Sequence, residues 1–373
     1  MKKVLFLIHD LGQGGAEKVL INLVNNMDCS KFDITVMTLF DYGINRQFLG
    51  PNVKYKTWCK KMLPGNSHIM KVFSPQQLHN LIIKEHYDIE VAYLEGPCAR
   101  IISGCPNKET KLISWIHIEQ HTTKKASSSF LSIKEAEDCY NRFNNIICVS
   151  ETVKQDFLHV LNIQVPVEVC YNTNESKKIV ELATDEVEEN LFSKNEFKII
   201  GVGKLLASKG FDRILNVVKA LKAENYPVHL YILGIGPMQK ELEKIIYQNR
   251  LTDCATLLGY HTNPYKYLAQ CDLFVCASHA EGFSTAATEA LIVGTPVCTV
   301  EVSGMKEMLG ENNEYGIVTS NDEKSLYYGI KSLLDDSQLL AHYKRQAEIR
   351  GKYFSTEETV QAVERMLLRV LGD

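Results

Sequence analysis

Two carboxylates stand eight positions apart within a segment of small and apolar residues, and they offer the most specific chemistry in the sequence. Glu281 follows an apolar run, and Glu289 falls two turns into the helical stretch that comes next. An acidic side chain in such a helix is costly unless it has a partner. The pair can hold hydroxyl groups at two ends of a sugar nucleotide. The structural alternative is a helix N-terminal charge for Glu281 and a buried pair for Glu289.

A loop after another apolar run combines a glycine with two cations. Gly203, Lys204 and Lys209 lie on this loop, and the two lysines are five residues apart. Two ammonium groups at the carboxyl end of a strand suit a diphosphate. Because lysines are common on protein surfaces, a solvated loop is the alternative.

Glycine turns precede two predicted helices. Gly14 and Gly15 follow the first apolar run, and Gly234 follows a run in the second half. Such turns let backbone amides and a helix N-terminus approach a phosphate, although a tight strand-to-helix turn needs the same glycines. A nicotinamide site is the rival interpretation, but Gln239 stands where its fingerprint requires glycine.

The elements that must position these residues are short apolar runs separated by segments with helical periodicity. This pattern predicts parallel sheets covered by helices. The runs are residues 4–8, 34–39, 89–94, 111–115 and 145–149, then 198–202, 228–233, 255–258, 273–277 and 296–300. We therefore predict two doubly wound domains, residues 1–172 and 173–354, with a final helix in 355–373 packing back on the first domain.

Composition excludes several classes of protein. The 373 residues carry a net charge of −4 without a strongly basic region, which argues against a nucleic-acid-binding protein. The eleven cysteines form no C-x-x-C pair, so neither a disulfide framework nor a zinc site is indicated, and a reducing cytoplasm is expected. No apolar stretch approaches the ~18 residues of a membrane span.

The motif order GGAE, GK-x4-KG, LGIGP, EGFS-x4-EA and GTPV resembles glycosyltransferase family 4, the group 1 retaining transferases, over nearly the whole chain. The resemblance implies the GT-B fold, in which two Rossmann-like domains face a central cleft. It also implies that the first domain binds the acceptor and the second binds the nucleotide-sugar donor. Two departures are Lys204, where the family usually has arginine, and Ser284, where it usually has glycine.

The resemblance also assigns roles to individual residues. Glu281, His117 and Lys209 are the expected catalytic residues, and a core histidine is the alternative for His117. Glu281 would contact the donor sugar, Glu289 the ribose, and Tyr260 the nucleobase. The full set of expected donor-binding residues is Gly14, Gly15, Gly203, Lys204, Lys209, Gly234, Tyr260, Glu281, Gly282, Phe283, Ser284, Thr285 and Glu289.

The activity implied is transfer of a hexose or N-acetylhexosamine from a nucleoside diphosphate sugar, expected to be a UDP-sugar, to a sugar hydroxyl of a surface polysaccharide or a lipid-linked oligosaccharide. No D-x-D motif is present, so neither a metal nor a cofactor is expected. A catalytically silent partner subunit and a nucleotide-sugar epimerase are the alternatives. We expect a cytoplasmic protein with peripheral contact to the inner face of the plasma membrane, where Lys54, Lys56, Lys60 and Lys61 would meet anionic lipid. A solvated loop is the alternative for these four lysines.

Overall fold

The chain forms two compact units in the computed structural model, which describes residues 1–12, 14–61, 70–188, 191–192 and 195–372. The first unit comprises Met1–Asn174 together with Thr356–Asp373, and the second comprises Glu175–Ser355. Each unit has its own parallel sheet and its own helices.

The sheet of the first unit has seven parallel strands. They are β1 (Lys2–Ile8), β2 (Phe32–Phe40), β3 (Lys54–Cys59), β4 (Ile89–Ala92), β5 (Lys111–Ile116), β6 (Asn145–Cys148) and β7 (Val167–Val169). Their order is β3-β2-β1-β4-β5-β6-β7. The central strands are almost wholly buried, as parallel strands with both faces covered are.

The helices of the first unit begin at residues that suit helix starts. They are α1 (Gly15–Asn26), α2 (Pro75–Ile82), α3 (Pro97–Ile102), α4 (Thr123–Ala126), α5 (Ile133–Tyr140) and α6 (Glu151–Val160). Ser74, Ser132 and Ser150 each accept a backbone N–H at the N-cap, which satisfies an amide that the helix leaves unpaired.

The last helix of the chain, α15 (Thr356–Leu371), belongs to the first unit. The backbone N–H of Asp28 donates to Glu364 at 2.6 Å, and the hydroxyl of Thr356 donates to the carbonyl of Asn174 at 2.7 Å. These bonds join the last helix to the segment 1–174 within one unit.

The second unit has a six-stranded parallel sheet in the order β10-β9-β8-β11-β12-β13. Its strands are β8 (Phe197–Val202), β9 (Val228–Leu233), β10 (Ala255–Gly259), β11 (Leu273–Cys276), β12 (Val297–Val300) and β13 (Ile317–Thr319). Its α-helices are α7 (Ser176–Ala183), α8 (Phe211–Ala223), α9 (Gln239–Gln248), α10 (Tyr265–Gln270), α11 (Thr285–Ile292), α12 (Met305–Leu309), α13 (Glu323–Asp335) and α14 (Ser337–Tyr353).

All ten apolar runs of the sequence form strands, so the prediction of two parallel α/β sheets is confirmed. The prediction missed β3, β7 and β13, which lie at sheet edges. Strand β3 has lysines at Lys54 and Lys56, and β7 and β13 are three residues long, so none carries a long apolar run.

Each sheet reverses its strand order once, between β1 and β4 in the first unit and between β8 and β11 in the second. In open α/β sheets, ligands bind beyond the carboxyl ends of strands at such a reversal. The loops after these four strands carry most of the residues singled out from the sequence.

Candidate functional site

The loops after β8 and β11 are joined because the two strands are neighbours in the sheet. Lys209 Nζ lies 2.6 Å from Glu281 Oε1, and the hydroxyl of Ser278 donates to the same oxygen at 2.6 Å. The backbone N–H of His279 donates to the carbonyl of Ser208, which fixes one loop against the other. The structure thus brings Lys209, which is predicted to bind phosphate, into contact with Glu281, which is predicted to bind the sugar.

The predicted glycine turns of the second unit also lie against each other. A β-carbon on Gly234 would lie 1.8 Å from the carbonyl oxygen of Gly203, so no other residue fits there without moving the neighbouring loop. The N–H of Gly234 donates to the carbonyl of Gly259 at 2.8 Å. Tyr260 follows Gly259 and is 60% exposed, so it is accessible to a ligand.

The segment before α11 forms a capped helix start. Ser284 is the N-cap, and its hydroxyl accepts the N–H of Ala287. The ring centroids of Phe283 and Phe354 lie 5.6 Å apart. A β-carbon on Gly304 would lie 2.7 Å from the ring of Phe283. Gly282 is buried and Thr285 is the first helical residue, partly exposed. Helix N-termini favour anions, so this one suits a leaving phosphate.

Glu289 and Lys204 occupy opposite environments. Glu289 is 3% exposed within α11, and the hydroxyl of Tyr265 donates to its Oε1 at 3.4 Å. Lys204 is exposed on the loop after β8. Lys204 is therefore accessible to a ligand without rearrangement, whereas Lys209 must share its ammonium with Glu281.

The first turn of α1 differs from a simple anion site. Gly14 is the N-cap of α1 and Gly15 its first residue, with open space around Gly15. A β-carbon on Gly14 would lie 2.0 Å from a carboxylate oxygen of Glu17. The acidic side chain therefore already lies at this helix N-terminus, and an anion that binds there must displace it.

His117 follows β5 and is buried in an aromatic cluster. Its ring lies 4.9 Å from that of Tyr93 and stacks 6.5 Å from that of Trp115. Burial lowers the pKa of His117 to about 4, and a hydrogen bond to the backbone of Tyr93 opposes this more weakly. The ring is therefore neutral near pH 7. Its Nε2 has no hydrogen-bond partner among the residues that the structure describes.

Sequence reasoning overlooked three residues that organise these loops. They are Ser278, which holds Glu281; Glu95, which accepts the backbone N–H of His117 at 3.1 Å; and Arg350. Arg350 donates to two carbonyls at the end of α12 and packs on the ring of Phe354. Ser278 and Glu95 lie within three residues of apolar runs and could have been noticed, whereas Arg350 lies on a distant helix and carries no local signal.

Two clusters of metal-ligand residue types occur in the described part of the chain. His79, Glu90 and Cys105 form the first, and Glu119, His121 and Asp156 form the second. His79 Nε2 lies 2.8 Å from Glu90 Oε2, and both side chains are buried. Burial alone would lower the pKa of His79, but hydrogen bonds to Cys105 and Glu90 outweigh it and raise the pKa to about 9. The first cluster is thus held by a buried ion pair.

The basic segment that the sequence placed against lipid is partly an edge strand. Lys54 pairs with Asp33 and Lys56 with Glu85, while Lys60 and Lys61 are exposed. Met62, the residue after Lys61, lies outside the described residues. Among the described helices, none has the length and the apolar character needed to cross a bilayer.

Comparison with protein families gives a match over residues 183–350 to the family described as Glycosyl transferases group 1. Among curated proteins, the chain is 27% identical over 369 residues to the N-acetylgalactosamine-N,N'-diacetylbacillosaminyl-diphospho-undecaprenol 4-alpha-N-acetylgalactosaminyltransferase of Campylobacter jejuni, covering 95% of this chain and 96% of that protein. It is 22% identical over 333 residues to the lipopolysaccharide core biosynthesis glycosyltransferase LpsD of Rhizobium meliloti, covering 89% and 88%.

Solved structures with the same fold include Anabaena HepE in complex with UDP, at a TM-score of 0.78 and 19% identity, covering 98% of this chain and 99% of that chain. They also include S. aureus TarM in a complex that contains UDP, at a TM-score of 0.75 and 15% identity over the full length of both chains. The expected fold class, two Rossmann-like α/β domains, is confirmed. The group 1 family match covers residues 183–350, and together with these likenesses it identifies the chain as a glycosyltransferase with two Rossmann-like α/β units of the GT-B fold.

Proposed function

We propose that the enzyme transfers a hexose or N-acetylhexosamine from a UDP-sugar to a sugar hydroxyl of a surface polysaccharide or a lipid-linked oligosaccharide, with retention at the anomeric carbon. The contact between Lys209 and Glu281 carries the proposal, because it sets a cation suited to phosphate beside a carboxylate suited to sugar hydroxyls. The names of relatives support it. The Campylobacter relative is named for a diphospho-undecaprenol acceptor and an alpha linkage, and HepE is described with UDP-glucose.

We assign the donor to the second unit and the acceptor to the first. The loops after β8 and β11 supply Lys204, Lys209 and Glu281 for the diphosphate and the sugar. Glu289, with the hydroxyl of Tyr265 on its carboxylate, would hold the ribose. The exposed ring of Tyr260 would stack on the base.

In the proposed mechanism, the acceptor oxygen bonds to the anomeric carbon on the face from which the diphosphate departs. The bond between that carbon and the phosphate oxygen breaks, and the departing oxygen takes the acceptor proton. Lys209 and the amides of Phe283, Ser284 and Thr285 neutralise charge on the leaving phosphate. His117 is neutral, and its buried Nε2 would accept a hydrogen bond from a sugar hydroxyl once the side chains that cover it move. The mechanism needs neither a metal nor a cofactor.

A donor screen tests the proposal. The purified chain is incubated with UDP-, GDP- and ADP-sugars, with and without a lipid-linked acceptor, in the presence and absence of EDTA. The expected result is transfer from a UDP-sugar to give a product whose anomeric configuration is that of the donor sugar. Interconversion of the free nucleotide sugar would indicate an epimerase, and no turnover with any donor would indicate a silent partner subunit.

Peripheral membrane contact is a separate proposal, and it rests on the exposed Lys60 and Lys61. Binding to anionic vesicles should weaken as salt rises, and replacing both lysines by serine should weaken it about 30-fold, since each is worth about 1 kcal/mol near such a surface. Lys240→Ser, an exposed position on α9, is the control. Absence of binding at low salt would refute the contact.

A further inference from the structure

Glu95 and His117 occupy matching positions at the carboxyl ends of two neighbouring strands. Strands β4 and β5 pair with Ala92 opposite Ser114, and each of the two residues lies three positions beyond that pair. Glu95 Oε2 accepts the backbone N–H of His117 at 3.1 Å. The side chain of Glu95 therefore lies beyond the carboxyl ends of the strands, where ligands of such folds bind.

The backbone that carries Glu95 is fixed on its far side. Gly96 has a φ of 76° and turns the chain into α3, and its N–H donates to the hydroxyl of Tyr140 at 3.3 Å. A β-carbon on Gly96 would lie 2.8 Å from the hydroxyl oxygen of Ser129, so the turn packs closely. The position of the carboxylate is therefore set before any ligand binds.

Among the described residues, no cation lies close to the carboxyl group of Glu95. No ion pair within 4.0 Å involves Glu95 in the part of the chain that the structure describes, and Lys125 acts on it only from a distance. Burial raises the pKa of Glu95, and the N–H of His117 opposes this effect. The backbone N–H groups of His117 and of Glu95 itself bond to this carboxyl group, and a carboxylate, with about four acceptor sites, can accept further hydrogen bonds.

We propose that Glu95 is ionised when the acceptor binds, that it accepts a hydrogen bond from a hydroxyl group of the acceptor sugar, and that its charge selects acceptors whose terminal sugar is neutral. The inference rests on the proposed function, in which the first unit binds the acceptor. A hydroxyl donates to a carboxylate oxygen, while a uronic acid or a phosphorylated sugar would bring a second negative charge beside it. Glu95 holds the acceptor and does not take its proton, which leaves with the diphosphate.

The test compares acceptors that differ only in charge. For the wild type, Glu95→Gln and Glu95→Asp, kcat and KM are measured for one acceptor with a neutral terminal sugar and for the matching uronic acid. Glu95→Gln should raise the KM for the neutral acceptor about 10- to 100-fold, as expected for losing a hydrogen bond to a charged group. The preference for the neutral over the acidic acceptor should fall at least about tenfold.

Donor hydrolysis without acceptor, and the exposed Glu109→Gln, are the controls, and both should match the wild type within about twofold. If Glu95→Gln is too unstable to assay, Glu95→Asp keeps the charge and should retain the preference for the neutral acceptor while its KM rises. An unchanged preference in Glu95→Gln, or equal losses of hydrolysis and transfer, would overturn the inference. Absence of wild-type transfer would instead overturn the proposed function.

Discussion

Replacing Glu281 by glutamine should separate nucleotide affinity from turnover. In the structure, Lys209 is ion-paired to Glu281 at 2.6 Å, so a phosphate must compete with the carboxylate for the ammonium group. The substitution removes the charge and preserves the shape, and Ser278 can still donate to the side-chain oxygen. We expect UDP to bind more tightly to Glu281→Gln while sugar transfer falls at least about 100-fold, since the sugar contact is lost.

The magnitude follows from the burial of the pair. At 2.6 Å and an effective dielectric constant of 20, the gross attraction is about 6 kcal/mol. The side chain of Lys209 is 29% exposed and that of Glu281 is 10% exposed, so desolvation and screening leave a net value of about 1 kcal/mol. Releasing Lys209 should therefore tighten UDP binding about 3- to 10-fold. Lys209→Ala should weaken UDP binding about tenfold or more.

Titration calorimetry with UDP on the two single variants and the double variant measures both effects and their coupling. Glu301→Gln is a matched control, because Glu301 pairs with Lys306 at the same 2.6 Å within the same unit. It should leave UDP affinity unchanged. Weaker UDP binding by Glu281→Gln, or normal binding by Lys209→Ala, would show that Lys209 does not bind the diphosphate.

Further predictions concern other buried contacts of the fold and site. Glu289→Gln should lower kcat/KM at least about 100-fold with an unchanged melting temperature, whereas the exposed Glu243→Gln should change neither; normal turnover would remove Glu289 from the site. Hydrogen bonds to Cys105 and Glu90 outweigh burial and raise the pKa of His79 to about 9, so these contacts stabilise the fold below about pH 6.5 and lose this effect as pH rises through 9. Denaturant unfolding should show that the free energy of unfolding falls by up to about 3 kcal/mol over this pH range, and that it does not fall in this way in His79→Gln. The same pH dependence in the variant as in the wild type would contradict the prediction. Arg350→Met should lower the free energy of unfolding by about 2 kcal/mol and raise the KM for the nucleotide sugar, because two carbonyls at the end of α12 lose the hydrogen bonds that Arg350 donates. Unchanged values of both quantities would show that Arg350 does not organise this loop.

The strands could be predicted because burial on both faces demands apolar residues along the whole strand. Runs such as 4–8 and 228–233 therefore carry a local signal that needs no knowledge of their neighbours. Strand β3 carries no such apolar run, because it lies at the edge of its sheet and its lysines Lys54 and Lys56 pair with acidic side chains. The same residues had suggested a lipid-binding loop.

The candidate site divides in the same way. Glu281, Lys209 and His117 could be selected from the sequence because each follows an apolar run, where a strand ends and ligands bind. Sequence spacing could not show that Lys209 contacts Glu281, because 72 positions separate them. That contact exists because β11 lies beside β8, although two other strands come between them along the chain.

Sequence alone determined the fold class, the family resemblance and the chemical types available at the strand ends, since apolar periodicity and motif spacing are local properties. Tertiary structure alone decided which of those groups meet and what state they are in. Burial makes His117 neutral. The pairing of β4 with β5 brings the carboxyl group of Glu95 to the backbone N–H of His117. Both outcomes depend on which side chains exclude water and which strands are neighbours, and those properties arise only when distant segments pack together.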